Sequence, residues 1–180
     1  MSMAAAQTIA ELFDSKGARD YLGEPVSVAT HLLQAGDLAS AAGAPDALVA
    51  AALLHDIGHL LTDEGDAYGD VRHGDSGAAW LSSWFPEPVT EPVRLHVPAK
   101  RYLCATEPSY FAKLSEASVH TLSLQGGPMT AAEASSFEGH PYAAGAIAVR
   151  RWDDQAKDPS ASPPDFARFR PLLERLLAVP

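Results

Sequence analysis

Cysteine is nearly absent from this chain, since Cys104 is the only one among 180 residues. A single cysteine cannot form a disulfide within the chain, which is typical of proteins in a reducing compartment. The N-terminus lacks the basic start and the long apolar core of a signal peptide. No apolar run approaches the roughly 20 residues that span a bilayer. The sequence therefore predicts a cytoplasmic protein without a membrane segment.

Basic residues are also scarce. Lys and Arg number 13 against 23 Asp and Glu, which gives a formal net charge of −10. This balance disfavours a nucleic-acid partner, because phosphate backbones are bound by clustered Lys and Arg. It leaves room for a small anionic substrate, since one or two local cations suffice for that. With 47% hydrophobic and only 20% charged residues, the chain fits one compact domain with a full core.

Stretches with the alternating Val, Ile and Thr of β-strands are nearly missing, whereas Ala and Leu dominate. We therefore predict an all-α fold in a single domain, residues 1–180, with no internal repeat. Gly, Pro and Asp turns separate predicted helices at residues 4–13, 24–42, 47–60, 76–85, 91–101, 115–124, 141–154 and 166–177. A kink is expected near Pro98, a capping box at Thr130 and Glu133, a polar loop over residues 62–74 and a flexible linker over residues 157–164.

The most informative motif is His55-Asp56-Ile57-Gly58-His59, which follows an apolar run at residues 50–54. In a helix, His55 and His59 would share one face a turn apart, a geometry suited to metal capture. A carboxylate has two oxygens and can join two cations, whereas an imidazole serves one. The motif thus predicts a metal centre whose further ligands come from elsewhere in the chain. The candidates are His31, His73, His96 and Asp153.

Each candidate also has a simpler explanation. His31 lies on the apolar face of its predicted helix and would serve as a core histidine, while His73 would be an exposed loop residue. Lys100 follows His96 by one helical turn, and two neighbouring cations make sense if an anion lies between them. The alternative is a lysine that extends to solvent.

Asp153 is predicted in the last turn of its helix, where an acid opposes the helix dipole, and Arg150 shares its face. The alternative for both is a solvated charged end, which is the interpretation adopted for Arg151 and Asp154.

The order of these residues resembles the HD-domain superfamily, whose pattern is a His, a His-Asp pair and a late Asp. The resemblance implies a helical bundle of about five core helices around the metal, spanning about residues 21–157, with a linker and C-terminal helix at 158–180. The two extra histidines match the dinuclear subset. There Asp56 would bridge two metals, with His31, His55 and Asp153 on one metal and His73 and His96 on the other.

The resemblance narrows to the phosphonate-degrading HD-domain oxygenases and covers residues 21–157. It is carried by LHVPAKRYLC at residues 95–104, LSEAS at 114–118, LQGGPM at 124–129 and RRWDD at 150–154. Many HD hydrolases have Lys at the position of His59. This family implies two iron ions, Fe2+ and Fe3+, and dioxygen-dependent cleavage of a C–P bond. The substrate would be a 1-hydroxy-2-aminoethylphosphonate or its N-trimethyl analogue, giving phosphate and glycine or glycine betaine.

The family also implies roles for residues outside the metal site. Tyr21 and Glu24 match a Tyr-x-x-Glu element that closes over the substrate, with Glu24 facing the amine and Tyr21 able to occupy an iron beforehand. His59 would touch the substrate or the ligand network, so these three form the expected catalytic set beyond the ligands. All three are also expected to bind substrate, together with the phosphonate donors Lys100, Ser118, Thr121 and Arg150.

Two alternatives stay open at this stage. The chain could be a metal-dependent phosphohydrolase of a nucleotide or phosphate ester, in which metals activate water, or a regulatory module that binds a phosphorylated ligand. A mononuclear hydrolase needs neither His73 nor His96, and a degenerate module usually loses ligands. The sequence also leaves open the oligomeric state, the metal identity and the methylation of the amine. A quaternary amine favours aromatic faces, for which the candidates are Tyr21, Tyr68 and Tyr102.

Overall fold

The structure of the chain is a computed structural model that describes residues 2–21, 23–61 and 72–177. Within these ranges the chain forms ten α-helices and no β-strand, which confirms the all-α class. The helices are α1 (Ser2–Lys16), α2 (Val28–Ala41), α3 (Asp46–Leu54), α4 (Gly58–Leu61), α5 (His73–Leu81), α6 (Glu87–Thr106), α7 (Glu116–Leu124), α8 (Ala131–Glu138), α9 (Ala143–Gln155) and α10 (Arg170–Leu177). The part of the predicted loop at residues 62–71, with Tyr68, lies outside the described residues.

Helix α3 is the centre of the hydrophobic core. Its residues 49–54 are all buried, as expected for a helix that is apolar on every side. It contacts α2, α6, α9 and α10, so neighbours surround it. The His-Asp motif follows α3 directly and is therefore delivered to the interior of the molecule.

The prediction of a single helix over residues 47–60 is wrong, because the helix is interrupted at the His-Asp motif. Helix α3 ends at Leu54, residues 55–57 form a turn, and the four-residue α4 begins at Gly58. Two short backbone hydrogen bonds close this turn, from Ile57 N to Leu54 O and from His59 N to Asp56 O, both 3.0 Å. Because of the turn, the adjacent His55 and Asp56 side chains can both face inward.

Other helix bounds also differ from the predictions. Helix α2 begins at Val28 rather than at Glu24, because Ser27 Oγ caps it by accepting from Thr30 N at 3.2 Å. Helix α5 begins at His73, which the sequence placed in a loop. Helix α6 is longer than predicted and continues through both Pro92 and Pro98. The predicted capping box at the start of α8 is confirmed.

The C-terminal segment belongs to the same core. Residues 157–164 have no regular helix, as predicted, but Gln34 holds them through hydrogen bonds to Asp158 O and Ala161 O at 2.6 and 3.2 Å. Helix α10 packs on α1 and buries Leu173. Among the described residues, no helix has the length and apolar character needed to cross a membrane.

Candidate metal centre

Four imidazoles and two carboxylates converge at the centre of the bundle, and five helices position them. Each of the six residues is buried, with at most 7% of its surface exposed. They are His31 in α2, His55 and Asp56 in the turn after α3, His73 at the start of α5, His96 in the middle of α6 and Asp153 in the last turn of α9. All six candidate ligands from the sequence therefore lie together.

Backbone carbonyls determine which nitrogen of the imidazoles faces the centre. Three rings donate Nδ1–H to a carbonyl oxygen: His31 to Ala156 at 2.8 Å, His55 to Ala52 at 2.8 Å and His96 to Val93 at 2.6 Å. In a neutral imidazole with this tautomer, Nε2 keeps its lone pair. These rings therefore present metal-binding nitrogens rather than donors to the interior.

The four Nε2 atoms form two pairs. His31 Nε2 lies 3.0 Å from His55 Nε2, and His73 Nε2 lies 3.1 Å from His96 Nε2. Two lone pairs facing each other repel unless a cation or proton lies between them. Two nitrogens each about 2.1 Å from a common metal lie roughly 3 Å apart when the ligand angle is near 90°. Each pair thus has the spacing of two ligands on one metal.

Asp56 lies between the two pairs and turns one oxygen to each. Its Oδ2 is 3.6 and 3.5 Å from the Nε2 atoms of His31 and His55, and its Oδ1 is 3.1 and 3.2 Å from those of His73 and His96. A carboxylate in this position can hold two cations at once. The geometry is that of a bridging ligand.

Asp153 joins the first pair. Its Oδ1 lies 3.4 Å from His31 Nε2, and its Oδ2 lies 3.7 Å from His55 Nε2. Asp153 Oδ1 and Asp56 Oδ1 are buried without a hydrogen-bond partner among the described residues. Buried carboxylate oxygens normally have partners, because leaving them unpaired is costly. The donor set and these two oxygens fit metal cations.

The charges of the site support the same conclusion. Burial by itself opposes ionisation of Asp56, but His55 and His73 hold its pKa well below its usual value. Burial by itself lowers the pKa of His55, but Asp56 and Asp153 outweigh it and raise that pKa to about 9. Burial lowers the pKa of His96 to about 4. Asp56 is therefore ionised, and positive charge is favoured between the imidazoles, where a proton on His55 or a metal cation can supply it.

Tyr21 and His59 flank the ligands. The Tyr21 hydroxyl donates to Asp56 Oδ2 at 2.7 Å, and its ring stacks on His31 with centroids 4.3 Å apart. His59 does not share a helical face with His55, because α3 has already ended. Its ring instead stacks on His73, with centroids 4.3 Å apart. Both residues border the six ligands, as the resemblance implies.

Lys100 is buried beside the candidate metal centre, with 2% of its surface exposed, so the interpretation of a lysine extending to solvent is wrong. Its Nζ donates to Thr121 Oγ1 at 2.8 Å and approaches Ser118 O at 3.5 Å. Burial, and next the charge of Arg150, lower the pKa of Lys100 to about 7. This lysine, Ser118 and Thr121 thus come together as predicted.

Arg150 is also buried, but two carboxylates hold it. Its Nη1 lies 2.7 Å from Asp153 Oδ2, and its Nε and Nη2 contact Asp154 Oδ1. Asp154 also accepts from the Tyr110 hydroxyl at 2.5 Å. The interpretation of Asp154 as a solvated end is therefore wrong, whereas Arg151 is exposed as expected. Asp154 anchors the guanidinium that contacts a candidate metal ligand.

Glu24 does not face an empty space. Its Oε1 accepts from Lys157 Nζ at 2.8 Å and from Ser115 Oγ at 2.5 Å. The Lys157 ammonium also donates to Ser118 Oγ at 3.1 Å and lies 5.9 Å from the centroid of the Tyr21 ring. Sequence reasoning missed Lys157 and the contact of Ser115. No local spacing indicates the role of Lys157, because α9 ends at Gln155 and the partner Glu24 lies 133 positions away.

Two further findings concern the edge of the site. Tyr102 is half-buried and its hydroxyl donates to the exposed Glu138 at 2.7 Å, so it is not part of this cluster. An open cleft of about 370 Å³, lined by Gly23, Glu116, Ala117 and His120, adjoins the segments of Glu24 and Ser115. Its volume is that of a small-molecule pocket.

An all-α bundle that gathers a His, a His-Asp pair and a late Asp around a candidate metal site is typical of HD-domain proteins. The HD-domain family profile matches residues 25–110. The chain is 46% identical over 173 residues, 94% of this chain and 88% of the relative, to the 1-hydroxy-2-(trimethylamino)ethylphosphonate dioxygenase (glycine-betaine-forming) of Leisingera caerulea. It is 43% identical over 172 residues, 93% of this chain and 85% of the relative, to the hydroxymethylphosphonate dioxygenase of Gimesia maris (strain ATCC 29201 / DSM 8797 / 534-30). The chain belongs to the phosphonate dioxygenase family of HD-domain proteins.

A third relative is an uncharacterized protein of Acanthamoeba polyphaga mimivirus, 34% identical over 169 residues. These residues are 89% of this chain and 77% of the relative. All three similarities extend well beyond the HD-domain profile. The similarity to this family therefore covers nearly the whole chain, including α9 with Asp153.

Proposed function

We propose that this protein is an oxygenase that uses dioxygen and two irons, one Fe2+ and one Fe3+, to cleave a C–P bond. The proposed substrate is 1-hydroxy-2-(trimethylamino)ethylphosphonate, and the products are glycine betaine and phosphate. The observation that carries the proposal is Asp56, whose two oxygens face separate histidine pairs. A hydrolase with a single metal has no use for the second pair.

The residues divide into two ligand sets. His31, His55 and Asp153 would hold one iron, His73 and His96 the other, with Asp56 between them. When bound, the irons would supply the electron-transfer chemistry with dioxygen and a binding position for the C1 hydroxyl. Tyr21 donates to Asp56 on the side of the first set and would control access there. His59 would hold the His73 ring in place through stacking.

The reaction balances without an external reductant. The C1 carbon carries a hydroxyl and the phosphonate at the start, and ends as a carboxylic acid. The phosphonate ends as phosphate after the C–P bond breaks. One dioxygen per substrate supplies one oxygen atom to each product. Dioxygen consumed and phosphate released are therefore expected in equal amounts.

The cation-rich end of the site suits the phosphonate. Lys100 hydrogen-bonds only neutral oxygens among the described residues, so its charge is not paired by a direct carboxylate contact. Charged donors make short, strong hydrogen bonds to such anions. Ser118 and Thr121 lie beside this ammonium and would complete the phosphonate site. Arg150 would add its charge while Asp153 and Asp154 keep it in place.

The amine end distinguishes the possible substrates. Glu24 and the Tyr21 ring offer a carboxylate and an aromatic face, which suit a trimethylammonium group. Hydroxymethylphosphonate, in the name of the second relative, has no amine to use them. We therefore expect this protein to turn over the trimethylamino substrate faster than its free-amine analogue or hydroxymethylphosphonate.

The test combines metal analysis with turnover. Purified, iron-loaded protein should contain two irons per chain, show a mixed-valence EPR signal and release phosphate in step with dioxygen uptake. His73→Ala should lose the second iron and at least about 100-fold of the turnover, because a metal ligand is removed. His140→Ala is the matched control, since this histidine lies in the turn before α9. A protein with one zinc or manganese and phosphatase activity would contradict the proposal.

A further inference from the structure

An internal ion pair fills the amine end of the site. Lys157 Nζ and Glu24 Oε1 are 2.8 Å apart, and their side chains are 11% and 5% exposed. The same ammonium lies over the Tyr21 ring, at 5.9 Å from its centroid. A carboxylate and an aromatic face are what a substrate ammonium would use, so Lys157 lies where that group would bind.

Lys157 also reaches the phosphonate end. Its Nζ donates to Ser118 Oγ at 3.1 Å, and the carbonyl of the same serine lies 3.5 Å from Lys100 Nζ. The two ammonium groups thus meet at one residue of α7. A phosphonate bound to Lys100 and Ser118 would attract Lys157 without a large movement of its stem.

The charges of this region match a zwitterion. Once a bound phosphonate has stabilised the protonated form of Lys100, this lysine and Lys157 contribute two positive charges and Glu24 one negative charge, because Asp153 and Asp154 already compensate Arg150. A phosphonate dianion with one ammonium group carries a net charge of −1, which cancels the remaining +1. Separating a buried ion pair is costly when either ion is left without a partner. A ligand that carries only a phosphonate would leave Glu24 without a partner, and a ligand that carries only an ammonium group would leave Lys157 without one.

We propose that Lys157 is a specificity-determining residue that exchanges partners when substrate binds. Glu24 passes from Lys157 to the ammonium of the ligand, and Lys157 passes from Glu24 to the phosphonate. Each ion of the pair gains a new partner only if the ligand carries both charges. The exchange therefore selects zwitterionic aminophosphonates over phosphonates without a cation. This inference rests on the proposed function for the position of the substrate.

Binding of two separate probes tests the exchange. Methylphosphonate supplies the anion, and tetramethylammonium supplies the cation. Calorimetry on the iron-loaded protein without dioxygen measures the affinity for each probe in the presence and in the absence of the other probe. In the wild type each probe should strengthen binding of the other about tenfold, because the effect is reciprocal. Lys157→Met should reduce this effect to the direct attraction between the two probes, about twofold. Lys157→Arg should preserve most of it.

The controls separate the possible outcomes. Lys113→Met removes an exposed lysine and should leave the effect unchanged. A wild-type protein in which neither probe affects binding of the other overturns the inference, and this measurement needs no variant to fold. Full mutual strengthening in Lys157→Met overturns it too. Because binding is measured without dioxygen, its result does not depend on turnover. An active oxygenase in which the probes do not strengthen each other's binding contradicts only the exchange. An inactive protein in which they do contradicts only the proposed function.

Discussion

Lys100 shows at the scale of a residue how burial prepares a group for an anion. Its ammonium has a pKa of about 7 instead of 10.5, because burial and then Arg150 disfavour the charge. A bound phosphonate favours the protonated form and reverses this effect. The lysine is therefore close to half protonated at neutral pH before the substrate arrives.

A pH dependence follows from this value. Above pH 7 the free protein increasingly holds neutral Lys100, so kcat/KM should fall by up to about tenfold per pH unit. Lys100→Arg stays charged at any such pH and should lack this decline, whatever its absolute activity. Profiles of both proteins between pH 6 and 9 with the same substrate make the comparison, because substrate ionisation affects them equally. Parallel profiles would remove Lys100 from the anion site.

The contacts that the sequence missed share one property. Lys157 and Glu24 are 133 positions apart, and Tyr110 and Asp154 are 44 apart. No local spacing connects them, and each alone reads as an ordinary surface charge or ring. The convergence of the candidate metal ligands was predictable because His and Asp are uncommon on apolar segments and follow a recognisable order.

At the scale of the elements, the close contact of α4 with α5 determines where His73 lies. A Cβ added at Gly58 would be 2.2 Å from His73 O and 2.9 Å from its carbonyl carbon. Gly77 of α5 faces the same junction, since its Cβ would meet Gly58 N at 3.1 Å. Only a glycine at position 58 lets the two helix starts approach in this way.

Gly58→Ala should therefore push α5 away from the centre. We expect a loss of about 1–3 kcal/mol in the free energy of unfolding and an iron content below two per chain, since His73 moves. Denaturant unfolding and metal analysis measure both effects. Gly139→Ala is the matched control, because the nearest atom to its Cβ is 3.6 Å away. Equal stability of the two variants would show that the junction tolerates a side chain.

The bounds of the elements were partly predictable. The capping box at Thr130 gave the start of α8 correctly, because this residue acts through its immediate neighbours. The predicted start at residue 115 is one residue before the start of α7, where Ser115 is the N-cap. The break after Leu54 was not predictable from local pattern, since residues 50–60 read as one apolar helix. Two features of the folded chain outweigh that helical preference. One is the contact between α4 and α5, and the other is the inward orientation of the adjacent His55 and Asp56.

At the scale of the whole molecule, the candidate metal site connects helices that are far apart in sequence. Its six residues come from α2, the turn after α3, α5, α6 and α9. Metals that bind only the folded chain should raise its stability. We expect chelation to lower Tm by about 5–10 °C and iron to restore it, as measured by calorimetry. An unchanged Tm in protein shown to be metal-free would mean that the ion pairs alone hold these helices.

The sequence by itself determined the all-α class, the types of the candidate ligands and the excess of acidic over basic residues, because composition and local spacing encode all three. Only the tertiary structure decided which imidazole nitrogen faces inward, that Asp56 turns one oxygen to each histidine pair, and that Lys157 neutralises Glu24. These features depend on carbonyls, rings and charges contributed by distant segments. These interactions form only when the chain has folded, so no local sequence pattern predicts them.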